Sequence, residues 1–327
     1  MASSNLHVVM LPWLAFGHMI PFHQRSIALA KAGIRVSFIS TPRNVQRLPK
    51  VPPNSSALIS FVELRLPTVE GLPLGAEATV DVSMDEIQYL KAAYDLLRHQ
   101  VKQFVANESP DWIIQDFASY WMAEIAREYG VPLIIFSVFS AAMLSFVGPP
   151  EYLFEDSYTK HWPSPESMTS SPKWVTFPSS VAFHRHEARA MFAGGFGQNA
   201  SSVTDGERFA RTFGESQAVV VRSCTEYEGD YLKLLAEKIY SKPVIPVGQL
   251  PPTPLTSSRE EREGEWDQIL NWLDRKQPKT VVFVAFGSEC KLSRDQVYEI
   301  AKGLKEAHVG GGRGRRPAVG FQETDGR

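Results

Sequence analysis

Apolar residues occur along this chain in short blocks, and amphipathic stretches separate them. That alternation predicts an α/β fold. Residues 6–11 (LHVVML) make the first apolar block, and residues 22–32 have the mixed pattern of a surface helix. Pro21 suits the first turn of that helix, and Gly33 its C-terminal end. Further apolar blocks at 34–41 (IRVSFIST), 59–66, 112–115, 133–138, 218–221 and 243–247 predict strands. Ser83 and Glu86 form a capping-box pattern, and Ile87, Leu90, Tyr94, Leu97, Val101 and Phe104 follow on one helical face. Helices are also predicted over 119–129, stopped by Gly130 and Pro132, and over 206–213 and 226–239. The repeated β-α-β order predicts a parallel sheet with helices on both faces.

Several stretches break this rhythm. Residues 67–82 hold Pro67, Gly71, Pro73 and Gly75 and read as a long loop. Between 148 and 180, prolines alternate with Tyr152, Phe154, Tyr158, Trp162, Trp174 and Phe177. A loop this aromatic packs on something apolar, either a ligand or its own domain. Residues 250–264 (LPPTPLTSSREEREG) are rich in proline, serine and charge, as a linker is. A helix over 266–274, a strand over 280–286, a turn at 287–289 and a helix over 294–307 then begin a second α/β unit. The last residues, 308–327, replace apolar periodicity with glycine and arginine and cannot bury a core. The expected organisation is therefore an N-terminal Rossmann-type domain over 1–250, a linker over 251–264, the start of a second Rossmann-like domain over 265–307, and an aberrant tail over 308–327. One strand and one helix cannot enclose a core, so strand 280–286 is expected to have unpaired edges.

Composition adds exclusions. At 327 residues, the chain suits two domains of about 150 residues each. A net charge of -2 gives no reason to expect a nucleic acid or an anionic membrane as partner. The two cysteines, Cys224 and Cys290, are far apart in no metal-type spacing, as expected of reduced thiols. The N-terminus lacks a signal-peptide pattern, and no apolar run reaches the ~20 residues of a membrane span. A cytoplasmic protein without a transmembrane segment is the expectation.

Candidate chemistry gathers at the first strand-to-helix turn, Trp13-Leu14-Ala15-Phe16-Gly17-His18-Met19-Ile20-Pro21, where His18 is the sole titratable side chain. Ligands of open α/β sheets bind beyond the carboxyl ends of strands. A neutral imidazole there can accept a proton, although a loop histidine also occurs as a plain surface residue. Asp116 ends the apolar strand 112–115, an unusual place for a carboxylate without a partner. It either orients His18 from the same sheet edge or caps the next helix. The chain has no nucleophile elbow and no P-loop, and no G-x-G-x-x-G follows its first strand, which disfavours a nicotinamide enzyme. Gly287-Ser288 follows a predicted strand and precedes a helix, so it suits a phosphate or ribose, or a simple helix cap.

At these residues the chain resembles the plant UDP-sugar-dependent glycosyltransferases of small metabolites. The resemblance runs through HVVMLPWLAFGHMIPFHQRSIALAKAGIRVSFISTPRN, DWIIQDFASYW and NWLDRKQPKTVVFVAFGSE, and covers about residues 6–307. The wording of the first and third segments is similar to the branch acting on flavonoid or triterpenoid glycosides, often with rhamnose. The resemblance implies a GT-B-like pair of Rossmann-type domains and an inverting transfer of sugar from a UDP-sugar to an acceptor hydroxyl. UDP-sugar would be a co-substrate, with no cofactor and no metal. It implies that His18 is the base, that Asp116 orients it, and that Gly287 and Ser288 contact the donor. Gly17, Phe117, Ser140, Met143 and Phe192 are acceptor-pocket positions by location. The family's later signature box has a tryptophan, a His-Cys-Gly-Trp-Asn-Ser run, a glutamate and an Asp-Gln pair. This sequence has none of it and leaves the family pattern near His308, as an altered or out-of-frame gene end would. Two expectations follow: a glycosyltransferase, or a truncated, inactive remnant that at most binds the acceptor.

Overall fold

The apolar blocks pair into one parallel sheet in the computed structural model, which describes residues 6–249, 264–287 and 292–309. Its strands are β1 (His7–Leu11), β2 (Arg35–Ser40), β3 (Ile59–Glu63), β4 (Trp112–Gln115), β5 (Leu133–Ser137), β6 (Ala218–Val221) and β7 (Val244–Pro246). They lie in the order β3-β2-β1-β4-β5-β6-β7, each parallel to its neighbours. Both faces are covered, which is why the central strands read as unbroken apolar runs. On β1, Val9 and Leu11 enter one core with Tyr94, Val101 and Ile125, whereas Val8 and Met10 enter the other with Met19 and Phe22.

The first helix, Phe16–Lys31, begins earlier than the sequence pattern indicates and includes Pro21. Proline has no N–H to give to the carbonyl four residues back, so one helical bond is missing near the start. The helix ends as expected. Gly33 has φ +84° and its N–H donates to the Ala30 carbonyl at 2.9 Å, while the Ile34 N–H donates to the Leu29 carbonyl at 3.1 Å. This is the Schellman pattern that requires left-handed backbone.

The helix predicted after Ser83 is divided. A short turn, Met84–Glu86, leads into helix Ile87–Asp95, and helix Arg98–Glu108 follows a tightened turn at Leu96 and Leu97. Helices Ala141–Val147 and Arg185–Phe196 were not legible in the sequence. The proline- and aromatic-rich stretch packs on its own unit. Phe146 stacks on Trp162 at 5.0 Å, and the Trp174 indole N–H donates to the Ser145 carbonyl at 2.8 Å. Gly148 permits this arrangement: its φ is +90°, and a Cβ there would come within 2.6 Å of the Trp174 ring.

Compactness divides the chain into Met1–Pro252 and Thr253–Arg327. The second unit has helices Gly264–Asp274 and Arg294–Val309, the latter entered by reciprocal bonds between Ser293 and Gln296. Residues 280–286, expected as a strand, form no ladder among the described residues, and Phe283 is 89% exposed. A strand exists through its pairing, and none of the described neighbours pairs with it. The expected linker, except Gly264, and tail residues 310–327 lie outside the described residues. Among the described residues no helix is long and apolar enough to cross a membrane.

Two histidines are buried in the first unit. His7 sits between Arg35, which donates to Nδ1 at 2.8 Å, and the Ser37 hydroxyl, 2.8 Å from Nε2. Burial, and then the Arg35 charge, hold its pKa below the ordinary value. His23 stacks on Phe61, and burial holds it low as well. Below a pH of about 6.5 the unfolded chain takes up protons that the folded chain refuses, so folding stability falls as pH falls. Melting temperatures should therefore drop between about pH 7 and about pH 5.5, and His23→Phe should flatten the drop. An unchanged slope in that variant would contradict the assignment.

Candidate active site

The site begins at the sheet's reversal point, where β1 and β4 are neighbours but their connections leave in opposite directions. Leu11 is in register with Gln115, and the Asp116 N–H donates to the Leu11 carbonyl at 3.1 Å. Asp116 thus extends one residue past the ladder, beside the turn that follows β1. Its carboxylate is 1% exposed and is satisfied by three donors. Oδ2 accepts from the Trp13 N–H at 3.0 Å and from His18 Nδ1 at 2.8 Å, and Oδ1 accepts from the Phe117 N–H at 2.7 Å. Such donors offset the cost of burying the charge. Asp116 does not cap the following helix, which starts only at Met122.

His18 lies in the first turn of helix Phe16–Lys31, and its side chain is 13% exposed. A carboxylate at Nδ1 fixes the proton on that nitrogen and leaves the Nε2 lone pair free. Nε2 has no hydrogen-bond partner among the described residues. The ring is bounded by Phe117 at 5.5 Å and Phe139 at 5.3 Å, and Phe209 lies 5.5 Å from each of those phenylalanines. Together they place an apolar wall beside one imidazole. Phe139 and Phe209 were not among the residues singled out in the sequence. Phe139 had a signal, since it directly follows the predicted strand 133–138, but Phe209 lies on a distant helix and had none.

The other candidates are dispersed. Ser140 is exposed and its Oγ accepts from the Met143 N–H at 3.1 Å, so it caps helix Ala141–Val147. Glu228 supports the same helix from helix Thr225–Leu234, which follows β6. Its buried carboxylate accepts from the Ala141 and Ala142 N–H groups at 3.0 and 2.9 Å. Met143 is half-buried on that helix. Phe192 packs against Tyr158 and Phe196 in the smaller aromatic core, with no ring contact to His18 among the described residues. Gly17 is exposed, and a Cβ there would meet nothing within 4 Å. Gly287 belongs to the second unit and has φ +79°, a conformation that favours glycine, and Ser288 lies outside the described residues. No metal-binding group of three or more histidine, cysteine or acidic side chains occurs among the described residues.

No protein-family model matches the chain. The solved structure of Arabidopsis thaliana UGT89C1 complexed with UDP-L-rhamnose superimposes with a TM-score of 0.65 at 18% identity, covering 93% of this chain and 63% of that one. That likeness defines the fold, the GT-B class of plant glycosyltransferase structures. By sequence, the chain is 42% identical over 304 residues to UDP-glycosyltransferase 91C1 of Arabidopsis thaliana, covering 93% of this chain and 64% of the relative. It is 34% identical over 310 residues to soyasaponin III rhamnosyltransferase of Glycine max, covering 93% and 63%. Over these shared residues the chain is similar to plant UDP-glycosyltransferases. It spans slightly under two thirds of the length of those relatives.

The satisfied carboxylate yields a stability prediction. Asp116→Ala removes the acceptor of two backbone N–H groups and an imidazole N–H. Each buried donor left unpaired costs about 1–3 kcal/mol, so the variant should lose several kcal/mol in urea denaturation. Wild-type stability in that variant would show that the carboxylate does not organise the two turns.

Proposed function

We propose that this chain provides the acceptor-binding and base-carrying part of an inverting UDP-sugar glycosyltransferase acting on a small glycoside. The observation that carries the proposal is the 2.8 Å bond from His18 Nδ1 to the buried Asp116 carboxylate, with Nε2 free beside an apolar wall. In this reading an acceptor hydroxyl lies against Nε2. The imidazole takes its proton as the oxygen attacks the anomeric carbon, and the bond from that carbon to UDP breaks on the opposite face. The electron pair leaves with the diphosphate, and the configuration inverts. Asp116 stabilises the imidazolium that results.

Phe117, Phe139 and Phe209 would hold the flat or ring-bearing part of the acceptor, with Gly17, Ser140, Met143 and Phe192 as further pocket positions. Gly287 and Ser288 would meet the donor, and the second unit would be the start of the donor-binding domain. The acceptor class follows the relatives, one of which is named for soyasaponin III and another for an anthocyanidin 3-O-glucoside, both with rhamnosyl transfer. A cytoplasmic setting goes with two widely spaced cysteines in no disulfide or metal pattern.

A second reading is acceptor binding without transfer. A single comparison separates the two. Wild type and His18→Ala are incubated with UDP-rhamnose or UDP-glucose and a panel of flavonoid and triterpenoid glycosides, while acceptor binding is followed by tryptophan fluorescence. The proposed enzyme should form product, and His18→Ala should lose about 10²–10⁴-fold in rate with acceptor affinity retained. Binding without turnover by the wild type supports the second reading. Undiminished turnover by His18→Ala removes the histidine from its role.

A further inference from the structure

The turn that carries Asp116 and Phe117, residues 116–121, belongs to neither a strand nor a helix, so its carbonyls need partners from elsewhere. The firmest comes from a side chain, Arg208 Nη1, which donates to the Ala118 carbonyl at 2.7 Å. The Ser119 hydroxyl is shared between Gln115 Oε1 at 3.1 Å and the Asp116 carbonyl at 3.2 Å, and the Thr212 hydroxyl donates within its own helix to the Arg208 carbonyl at 2.8 Å.

Arg208 is the unusual member. Its side chain is completely buried, which is rare for arginine without a paired charge. Its guanidinium forks onto Asp95, Nη1 to Oδ1 at 2.8 Å and Nη2 to Oδ2 at 2.5 Å, while Nη2 also donates to the Ser201 hydroxyl at 2.9 Å. The Tyr120 ring lies 5.0 Å from the guanidinium carbon. Burial alone would lower the arginine's pKa, but its bonds to Asp95 outweigh that and keep it charged.

Asp95 ends helix Ile87–Asp95, and the residue before it, Tyr94, reaches the other turn. The Tyr94 hydroxyl donates to the Pro12 carbonyl at 3.3 Å, and its ring packs edge-on against Trp13 at 5.3 Å. Two consecutive residues of one helix end therefore serve both turns, one directly and one through Arg208. Tyr94 holds the turn after β1, which leads to His18, and Asp95 holds the turn after β4 through Arg208. Phe209, next to Arg208 on helix Asp205–Glu215, reaches Phe117 and Phe139 at the site itself.

We infer that the Asp95–Arg208 pair is a positioning device for the His18–Asp116 dyad: it fixes the Asp116 turn so that the carboxylate faces Nδ1 and Nε2 is left as the free nitrogen. This rests on the proposed role of the dyad, but it makes a claim that is separable from activity. A pair that only adds stability would leave the tautomer of His18 unchanged. A pair that aims the carboxylate would not, because a turn released from Arg208 can rotate the carboxylate off the imidazole. Arg208→Lys should restore part of the effect, since lysine keeps the charge but not the fork.

The experiment is nitrogen-15 NMR of histidine-labelled full chain, which reads which ring nitrogen of His18 carries the proton. Wild type, Asp116→Asn, Arg208→Met, Arg208→Lys and Asp95→Asn are compared at one pH, with circular dichroism to report folding. The expected result is a single Nδ1–H form in wild type, its loss in Asp116→Asn and in Arg208→Met, and an intermediate mixture in Arg208→Lys. A folded Arg208→Met protein with the wild-type tautomer overturns the positioning role. If Arg208→Met fails to fold, Asp95→Asn, which keeps the side-chain volume, is read by the same criterion. A wild-type His18 whose tautomer does not respond to Asp116→Asn contradicts the dyad itself, so failure of the base assignment and failure of the positioning pair give different spectra.

Discussion

One hydrogen bond, His18 Nδ1 to Asp116 Oδ2 at 2.8 Å, joins the turns that follow two strands widely separated in the chain but adjacent in the sheet. Its geometry depends on the parallel register of β1 with β4, which places Asp116 one residue beyond the ladder and opposite Trp13. A shift of one residue would turn Asp116 to the other face of the sheet. The two apolar cores that enforce the register are therefore also what places the carboxylate against the imidazole. Burial of that carboxylate is sustained only because backbone N–H groups of Trp13 and Phe117 share it with the histidine.

Around this bond the first unit is built from polar contacts placed where the regular hydrogen bonding stops. Glu228 satisfies the start of helix Ala141–Val147, Arg208 satisfies the turn after β4, and Lys242 donates to the carbonyls of Phe213, Gly214 and Ser216 at the end of helix Asp205–Glu215. Each is a buried or half-buried ionic side chain bound to backbone, which fixes loop position more strictly than apolar packing does. Phe117 and Phe139 then pack beside the imidazole, and Phe209 packs against both. A site with a rigid polar back and an apolar front suits the binding of a ring-bearing molecule by one hydroxyl.

Much of the strand framework was legible because both faces of the sheet are buried, so β1, β2, β4 and β5 read as apolar runs. Asp116 was legible for the opposite reason, as a charge at the end of such a run. Residues whose role depends on partners far along the chain were not. Arg208 sits on an amphipathic helix and reads as a surface charge, and Asp95 reads as an ordinary end of a polar face. Only the fold brings the two together. The early start of helix Phe16–Lys31 was hidden by Pro21, which as a rule marks a first turn but here lies further in. The segment 280–286 has the composition of a strand, yet composition supplies no partner, and among the described residues it has no ladder.

The central claim is that His18 Nε2 is the group that meets the acceptor. The most direct measurement is a crystal structure of the chain with a bound flavonoid or triterpenoid glycoside. An acceptor hydroxyl should lie within about 2.6–3.2 Å of Nε2, with the ring system against Phe117, Phe139 and Phe209. A glycoside bound in this unit with no hydroxyl in hydrogen-bond reach of Nε2 would contradict it.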